Sequence, residues 1–400
     1  MAISLQGNAV VGQSGGPTSV INQSLVGIIE EARRHHHIEK LLGARHGVRG
    51  IIEEVFVPLQ HLDSDLLERI AQTPAAALGS TRDKPDRDYC QRILAVFKKH
   101  HVRFFFYIGG NDSADTALIV QELAAAEKYD LRVLHIPKTI DNDLRVHDHC
   151  PGFGSAARFV AAAVMGDDRD NVSLPGVKID VMMGRNAGFL TAASILARHH
   201  EGDGPHLIYL PEAPLTEEKF LADVQAVYKR LGRCLICASE GVRHPDGQTW
   251  TEKLASNLDM DMHKNIQLSG LGTLGDHMGE LVKTKLGIKR VRSDTFGYLQ
   301  RSFPGFTSHV DAQEARLVAT QAVKLSAEEK TVEGSIAMRR VSNSPYQIET
   351  FLTPLNTVAR LTKQMEASHI IGGNDVSPAF ADYVRPLVGT LPTIATLDET

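Results

Sequence analysis

Short apolar blocks recur along the chain and alternate with longer segments of helical periodicity. Residues 9–13, 102–108, 132–137, 177–183, 206–210 and 233–239 are mostly apolar, bounded by Gly, Pro or polar clusters, and of strand length. Blocks of this kind are apolar on both faces, as strands covered by helices on each side must be. The intervening segments to about residue 34, 86–101, 114–128, 152–165, 216–231, 276–285 and 310–325 carry helical patterns, with a further helix near 357–365 and a strand near 335–340. Strand and helix in repeated alternation predict an α/β protein with mostly parallel sheets. Two runs of βα units, 8–145 and 177–243, predict two Rossmann-like three-layer lobes.

Polar residues collect where the apolar blocks stop. Pro137 ends the 132–137 block, and Lys138, Thr139, Ile140, Asp141, Asn142 and Asp143 follow at once. A polar turn before the next helix would look similar. Two carboxylates crowded beside a lysine are nevertheless costly unless a metal, a phosphate or a proton transfer uses them. Just upstream, the 102–108 block runs into Gly109, Gly110, Asn111, Asp112 and Ser113. The first block likewise runs into Ser14, Gly15, Gly16 and Pro17. Strand, glycine turn, then helix lets backbone N–H groups approach phosphate oxygens. One such turn proves little, because glycine also serves plain turns. Two of them with the acidic loop make a site, placed at the carboxyl ends of strands where open α/β sheets bind ligands. Arg82 sits on a Gly/Ser turn within reach of the same pocket. Ser155 reads as the cap of the helix from 152.

With 400 residues the chain holds two α/β domains of ordinary size. A net charge of −5 lacks the basic excess of a nucleic-acid binder. No run of about 18 apolar residues occurs and the first residues carry no leader pattern, so no membrane partner and a cytoplasmic location are expected. The four cysteines are too scattered for a disulfide framework. Cys234 and Cys237 would point to opposite faces of a strand, which favours buried thiols over a zinc or redox pair.

Taken together, the motifs resemble the phosphofructokinase family. In the family's order they are Gly15-Gly16, Gly109 to Ser113, Thr139 to Asp143, Met183 to Arg185, Glu240-Gly241 and Gly297 to Arg301, over roughly residues 8–302. The resemblance implies the phosphofructokinase fold, with the active site in the cleft between two lobes. Residues 1–146 with about 260–325 would bind the donor and 147–259 the sugar phosphate, while 326–400 has no assigned place. It also implies phosphoryl transfer to the C1 hydroxyl of fructose 6-phosphate, with Asp141 as general base and Thr139 and Asp143 positioning the reacting groups. Thr139, Ile140, Asp141, Met183, Gly184, Arg185, Glu240, Tyr298, Leu299, Gln300 and Arg301 would hold the sugar phosphate. Arg292 would reach its 6-phosphate from a neighbouring subunit, so a homodimer or homotetramer is implied.

Two positions bear on the donor. ATP-using members of the family have glycine at the positions of Asp112 and Lys138. A carboxylate at 112 would repel a nucleotide's α-phosphate, and a lysine at 138 would stabilise charge on the transferred or leaving phosphate, by up to about 4 kcal/mol at 4 Å in an effective dielectric of 20. Pyrophosphate with Mg2+ is therefore the expected donor, cradled by Gly15, Gly16, Gly110 and Arg82. Asn111 stands where the family's metal-binding aspartate is expected; Mg2+ accepts an amide oxygen and keeps most of its waters. An ATP-dependent enzyme, a sedoheptulose 7-phosphate kinase and a silent effector-binding subunit are the alternatives.

Overall fold

A computed structural model describes residues 5–255, 273–328 and 332–397. The 270–275 glycine segment of the sequence begins outside these residues. The chain divides into two compact units, 1–155 with 301–363 and 156–300 with 364–400.

The first unit is built on seven strands: β1 (Gly7–Gln13), β2 (Ile38–Ala44), β3 (Phe56–Pro58), β4 (Val102–Gly109), β5 (Arg132–Pro137) and, after the second unit's strands, β10 (Gly334–Asn343) and β11 (Tyr346–Thr353). Their order is β11-β10-β5-β4-β1-β2-β3, parallel from β10 to β2 with an antiparallel strand at each edge. Alternate side chains of one strand enter opposite cores. Phe104, Phe106 and Ile108 pack with Leu25 and Ile29 of the helix Ile21–Ala32 and with Val318 and Ala322 of the helix His309–Glu328. Phe105 and Tyr107 pack on the other face with Phe97 of the helix Arg87–Lys99 and Val120 of the helix Asn111–Ala126. Apolar pattern on both faces is thus explained by helices on both faces.

The second unit holds a parallel four-stranded sheet of β6 (Val177–Met182), β7 (Leu207–Tyr209), β8 (Cys234–Ser239) and β9 (Val291–Thr295) in the order β7-β8-β6-β9. Its core takes Phe220 and Val224 from the helix Glu217–Leu231, together with Trp250, Met278 and Val282. That helix begins where Thr216 Oγ1 accepts from the Lys219 N–H and ends at Gly232 in the left-handed region. All four cysteines are buried and free. Cys234 faces the helix-covered core, and Cys237 lies near Ser194.

Three expectations change. The return to the first unit begins at Arg301, where the sequence places it near 260, because β9 extends the second sheet beside β6 and the helix Thr273–Leu286 packs beneath it. The helix expected over 357–365 is absent. A short 3-10 turn, Leu355–Thr357, gives way to Arg360 at a φ of 62° and to Thr362 bridged with Leu144. Ser155 lies inside the helix Phe153–Ser173 and does not cap it. Asp311 does, accepting from the Gly152 and Ser155 N–H groups at 2.8 Å each. The helix Pro378–Val388 in the second unit was not expected.

Candidate functional site

In the first unit β1, β4 and β5 lie side by side and parallel, so their carboxyl ends deliver three loops to one edge of the sheet. The loop after β1 turns at Gly15, whose φ of 75° suits glycine. Its N–H donates to Thr81 O at 2.9 Å and its carbonyl accepts from Ser80 Oγ at 2.6 Å. Those two bonds bring the turn that carries Arg82 beside the glycines. Lys138, at the end of β5, reaches under the same loop and donates to Gly16 O at 2.7 Å. A Cβ on Gly15 would lie 3.1 Å from the Lys138 ammonium, and one on Gly16 would lie 2.9 Å from the Arg301 guanidinium. The glycines therefore leave a cradle edged by cations.

Lys138 is only 3% exposed, and burial pulls its ammonium down to about 7. Arg301 and Arg82 push it the same way, while Asp141 and Asp143 hold it up. Cations crowded around a glycine turn favour an anion in the cradle. Thr139 organises the carboxylates. Its hydroxyl donates to Asp143 Oδ1 at 3.2 Å and accepts from the Asp141 N–H at 3.1 Å. Asn142 sits between them at a φ of 56°, turning Asp141 and Asp143 out of strand alternation. Burial raises the Asp143 carboxyl, against its bond from Thr139. Ile140, within the same loop, is buried.

Asn111 opens the helix after the Gly109-Gly110 turn, and one atom of its amide lies 3.4 Å from Asp143 Oδ2. With the NH2 group there, the only bond is a long one. Turned over, the NH2 donates to Val358 O at 3.2 Å and Leu361 O at 2.9 Å. We favour this orientation, which sets the Asn111 carbonyl oxygen against a carboxylate oxygen of Asp143. Two facing oxygens with no N–H between them form a donor pair that a hard cation accepts. Asp112, next along, is exposed and pairs with Lys84 at 3.3 Å.

Lys363, remote in sequence, and His135, inside the apolar block of β5, also fix this edge. Lys363 donates its backbone N–H to Asp143 O at 2.7 Å and its ammonium to His147 O and Asp148 O at 3.0 and 2.9 Å. His135 in β5 spans Gly109 O at 2.9 Å and Ser335 Oγ at 2.8 Å, and burial holds it neutral, down at about 3.

In the second unit, β6 and β8 are neighbours and end in Met183-Gly184-Arg185 and Glu240-Gly241. Ser239 Oγ donates to Gly184 O at 2.6 Å, and the Glu240 N–H donates to Met182 O at 2.8 Å. The segment after β9 joins them, with Gln300 Oε1 accepting from the Met183 N–H at 3.2 Å and its amide donating to Gly297 O at 2.7 Å. Burial raises the Glu240 carboxyl, and Arg185 partly offsets it. Tyr298 and Leu299 are exposed. Arg292 stands apart, in the body of β9 opposite Lys178, donating to Val291 O at 2.9 Å.

Gly15, Gly16, Arg82, Gly110, Asn111, Asp112, Lys138, Thr139, Asp141, Asp143 and Arg301 thus belong to the first unit. Met183, Gly184, Arg185, Glu240, Tyr298, Leu299 and Gln300 meet at the strand ends of the second.

Parallel strands that end in glycine turns, a cationic cradle and a carboxylate pair define a phosphoryl-transferase architecture. The phosphofructokinase family model matches residues 8–326, and the chain belongs to that family. It is 52% identical over 385 residues to the pyrophosphate–fructose 6-phosphate 1-phosphotransferase of Rhodospirillum rubrum, covering 96% of this chain and 95% of that one. Among solved structures it resembles the pyrophosphate-dependent phosphofructokinases of Marinobacter aquaeolei and Nitrosospira multiformis. The first match has a TM-score of 0.84 at 32% identity, over 97% of this chain and 94% of the other. The second has 0.83 at 31%, over 98% and 95%.

Proposed function

We propose that this chain transfers a phosphoryl group from pyrophosphate to the 1-hydroxyl of fructose 6-phosphate, giving fructose 1,6-bisphosphate and phosphate. The observation that carries the donor is the Lys138 ammonium beneath Gly15 and Gly16, with Arg301 and Arg82 around it. By the family resemblance, Asp112 stands where its carboxylate opposes a nucleotide's α-phosphate, and the 52% identical relative is named for the same pair of substrates.

Asp141 accepts the proton as the C1 oxygen attacks phosphorus and the bond to the leaving phosphate breaks. Thr139 fixes the backbone of the base and one oxygen of Asp143 together, so that the base is held in place before substrate arrives. Lys138, Arg301 and Arg82 stabilise charge on the transferred group and on the phosphate that leaves. Met183, Gly184, Arg185, Glu240, Tyr298, Leu299 and Gln300 bind the sugar phosphate. Arg301 follows directly on that segment while its guanidinium lies by Gly16, which suits a group that senses both substrates. The oxygens of Asn111 and Asp143 would hold a Mg2+ ion bound together with pyrophosphate, and the ion would neutralise phosphate charge there. The reaction is reversible, since the anhydride and the ester are close in energy, and serves glycolysis or gluconeogenesis.

The enzyme works as a homodimer or homotetramer in the cytoplasm. Exposed Arg292 on the edge strand β9 supports the first statement and four free thiols support the second. Among the described residues no helix is long and apolar enough to cross a membrane. Asp112→Gly and Lys138→Gly test the donor assignment. Pyrophosphate-dependent rate collapses in Lys138→Gly, and ATP begins to support turnover in Asp112→Gly. Unchanged pyrophosphate kinetics in both variants would remove the donor argument.

A further inference from the structure

The second unit contains a carboxylate cluster that the phosphoryl transfer does not use. In the parallel register of β6 and β9, Asp180 stands opposite Asp294, and Asp167 of the helix Phe153–Ser173 joins them. One oxygen from each of the three lies within 4.8 Å of the others. Asp180 is fully buried, and neither of its carboxylate oxygens has a hydrogen-bond donor. Lys178, two residues earlier on the same face of β6, reaches Asp167 Oδ2 at 3.4 Å and Asp294 Oδ2 at 2.5 Å. One ammonium therefore stands against three carboxylates.

From this geometry we infer that Asp167, Asp180 and Asp294 bind a hard divalent cation such as Mn2+ or Ca2+, at a site separate from the Asn111–Asp143 pair. A buried carboxylate with both oxygens unmet is costly, and a cation met by all three groups removes the cost. Asp294 has a side chain 58% exposed and gives the ion a path from solvent, while Asp180 supplies the buried end. The ion ties β6 to β9 three residues before Met183 and three before Gly297, and so braces the strands that carry the turns of the second unit.

Equilibrium dialysis of the chelator-stripped full chain against Mn2+, without pyrophosphate, tests the site. Wild type, Asp180→Asn, Asp294→Asn and Asn111→Ala are compared for ions bound per chain and for the rise in melting temperature that Mn2+ produces. Asp180→Asn and Asp294→Asn each bind one ion fewer than wild type and lose the rise, whereas Asn111→Ala keeps both. Equal ion counts in wild type and Asp180→Asn would overturn the inference. So would an Asp180→Asn variant with wild-type ion count and a higher metal-free melting temperature, which would mean that Asp180 and Asp167 share a proton instead. Should Asp180→Asn not fold, Asp294→Asn at the exposed rim decides alone.

Discussion

Lys138 donates to a backbone carbonyl from an almost fully buried position, and burial brings its proton affinity down to about 7. An anion in the cradle reverses part of that cost. Pyrophosphate binding at pH 8 is therefore predicted to take up a proton at Lys138, seen as a binding enthalpy that changes with the ionisation enthalpy of the buffer. Lys138→Met loses this dependence, and a buffer-independent enthalpy in wild type would contradict it. The sign for stability is opposite to that of a paired lysine. The folded-state value is depressed, so the penalty is present in full below about pH 7 and fades as pH rises toward the unfolded value of 10.5. At Asp141, replacement by Asn is predicted to lower kcat by about 10² to 10⁴. Fructose 6-phosphate binding, measured by equilibrium titration, changes little. Lys138 and Asp141 were legible because a dense polar string directly follows an apolar block. Lys363 and His135, which hold the same loop, were not. Lys363 lies 220 positions after Asp143, and His135 sits within the apolar block itself.

Between elements, the loop that carries Asp141 and Asp143 runs into the helix Phe153–Ser173, and Asp311 joins that helix to the His309–Glu328 helix. Asp311→Ala leaves two buried N–H groups without an acceptor and is predicted to cost about 1–3 kcal/mol in urea unfolding. Gly15→Ala forces an alanine to a φ of 75° with its Cβ 3.1 Å from Lys138 Nζ. It is predicted to raise KM for pyrophosphate more than KM for fructose 6-phosphate in steady-state assays. Most strands and helices were readable from period and punctuation. The capping role went to Asp311 over Ser155 because a group distant in sequence outcompeted the local one. The helix Pro378–Val388 did carry its signals, Ser377 as cap, Pro378 in the first turn and Gly389 after the end. The segment 357–365 has helical spacing but spends its backbone on Leu144 and Asp143, so tertiary pairing overrides it.

For the whole molecule, the parallel α/β architecture and the sheet edges that bear chemistry follow from where apolar blocks end. The point at which the chain changes units does not. β9 is five residues long, mostly exposed and polar, and its pairing with β6 together with the packing of the helix Thr273–Leu286 into the same core assigns 273–300 to the second unit. If Arg292 serves a neighbouring subunit, Arg292→Ala raises KM for fructose 6-phosphate while sedimentation still shows an oligomer. An unchanged KM would leave Arg292 a surface residue of its own chain.

The most direct measurement is the initial rate of the purified protein with fructose 6-phosphate and Mg2+, with pyrophosphate or ATP as donor under otherwise identical conditions. Turnover is expected with pyrophosphate and none with ATP. Turnover with ATP alone would contradict the roles given to Asp112 and Lys138.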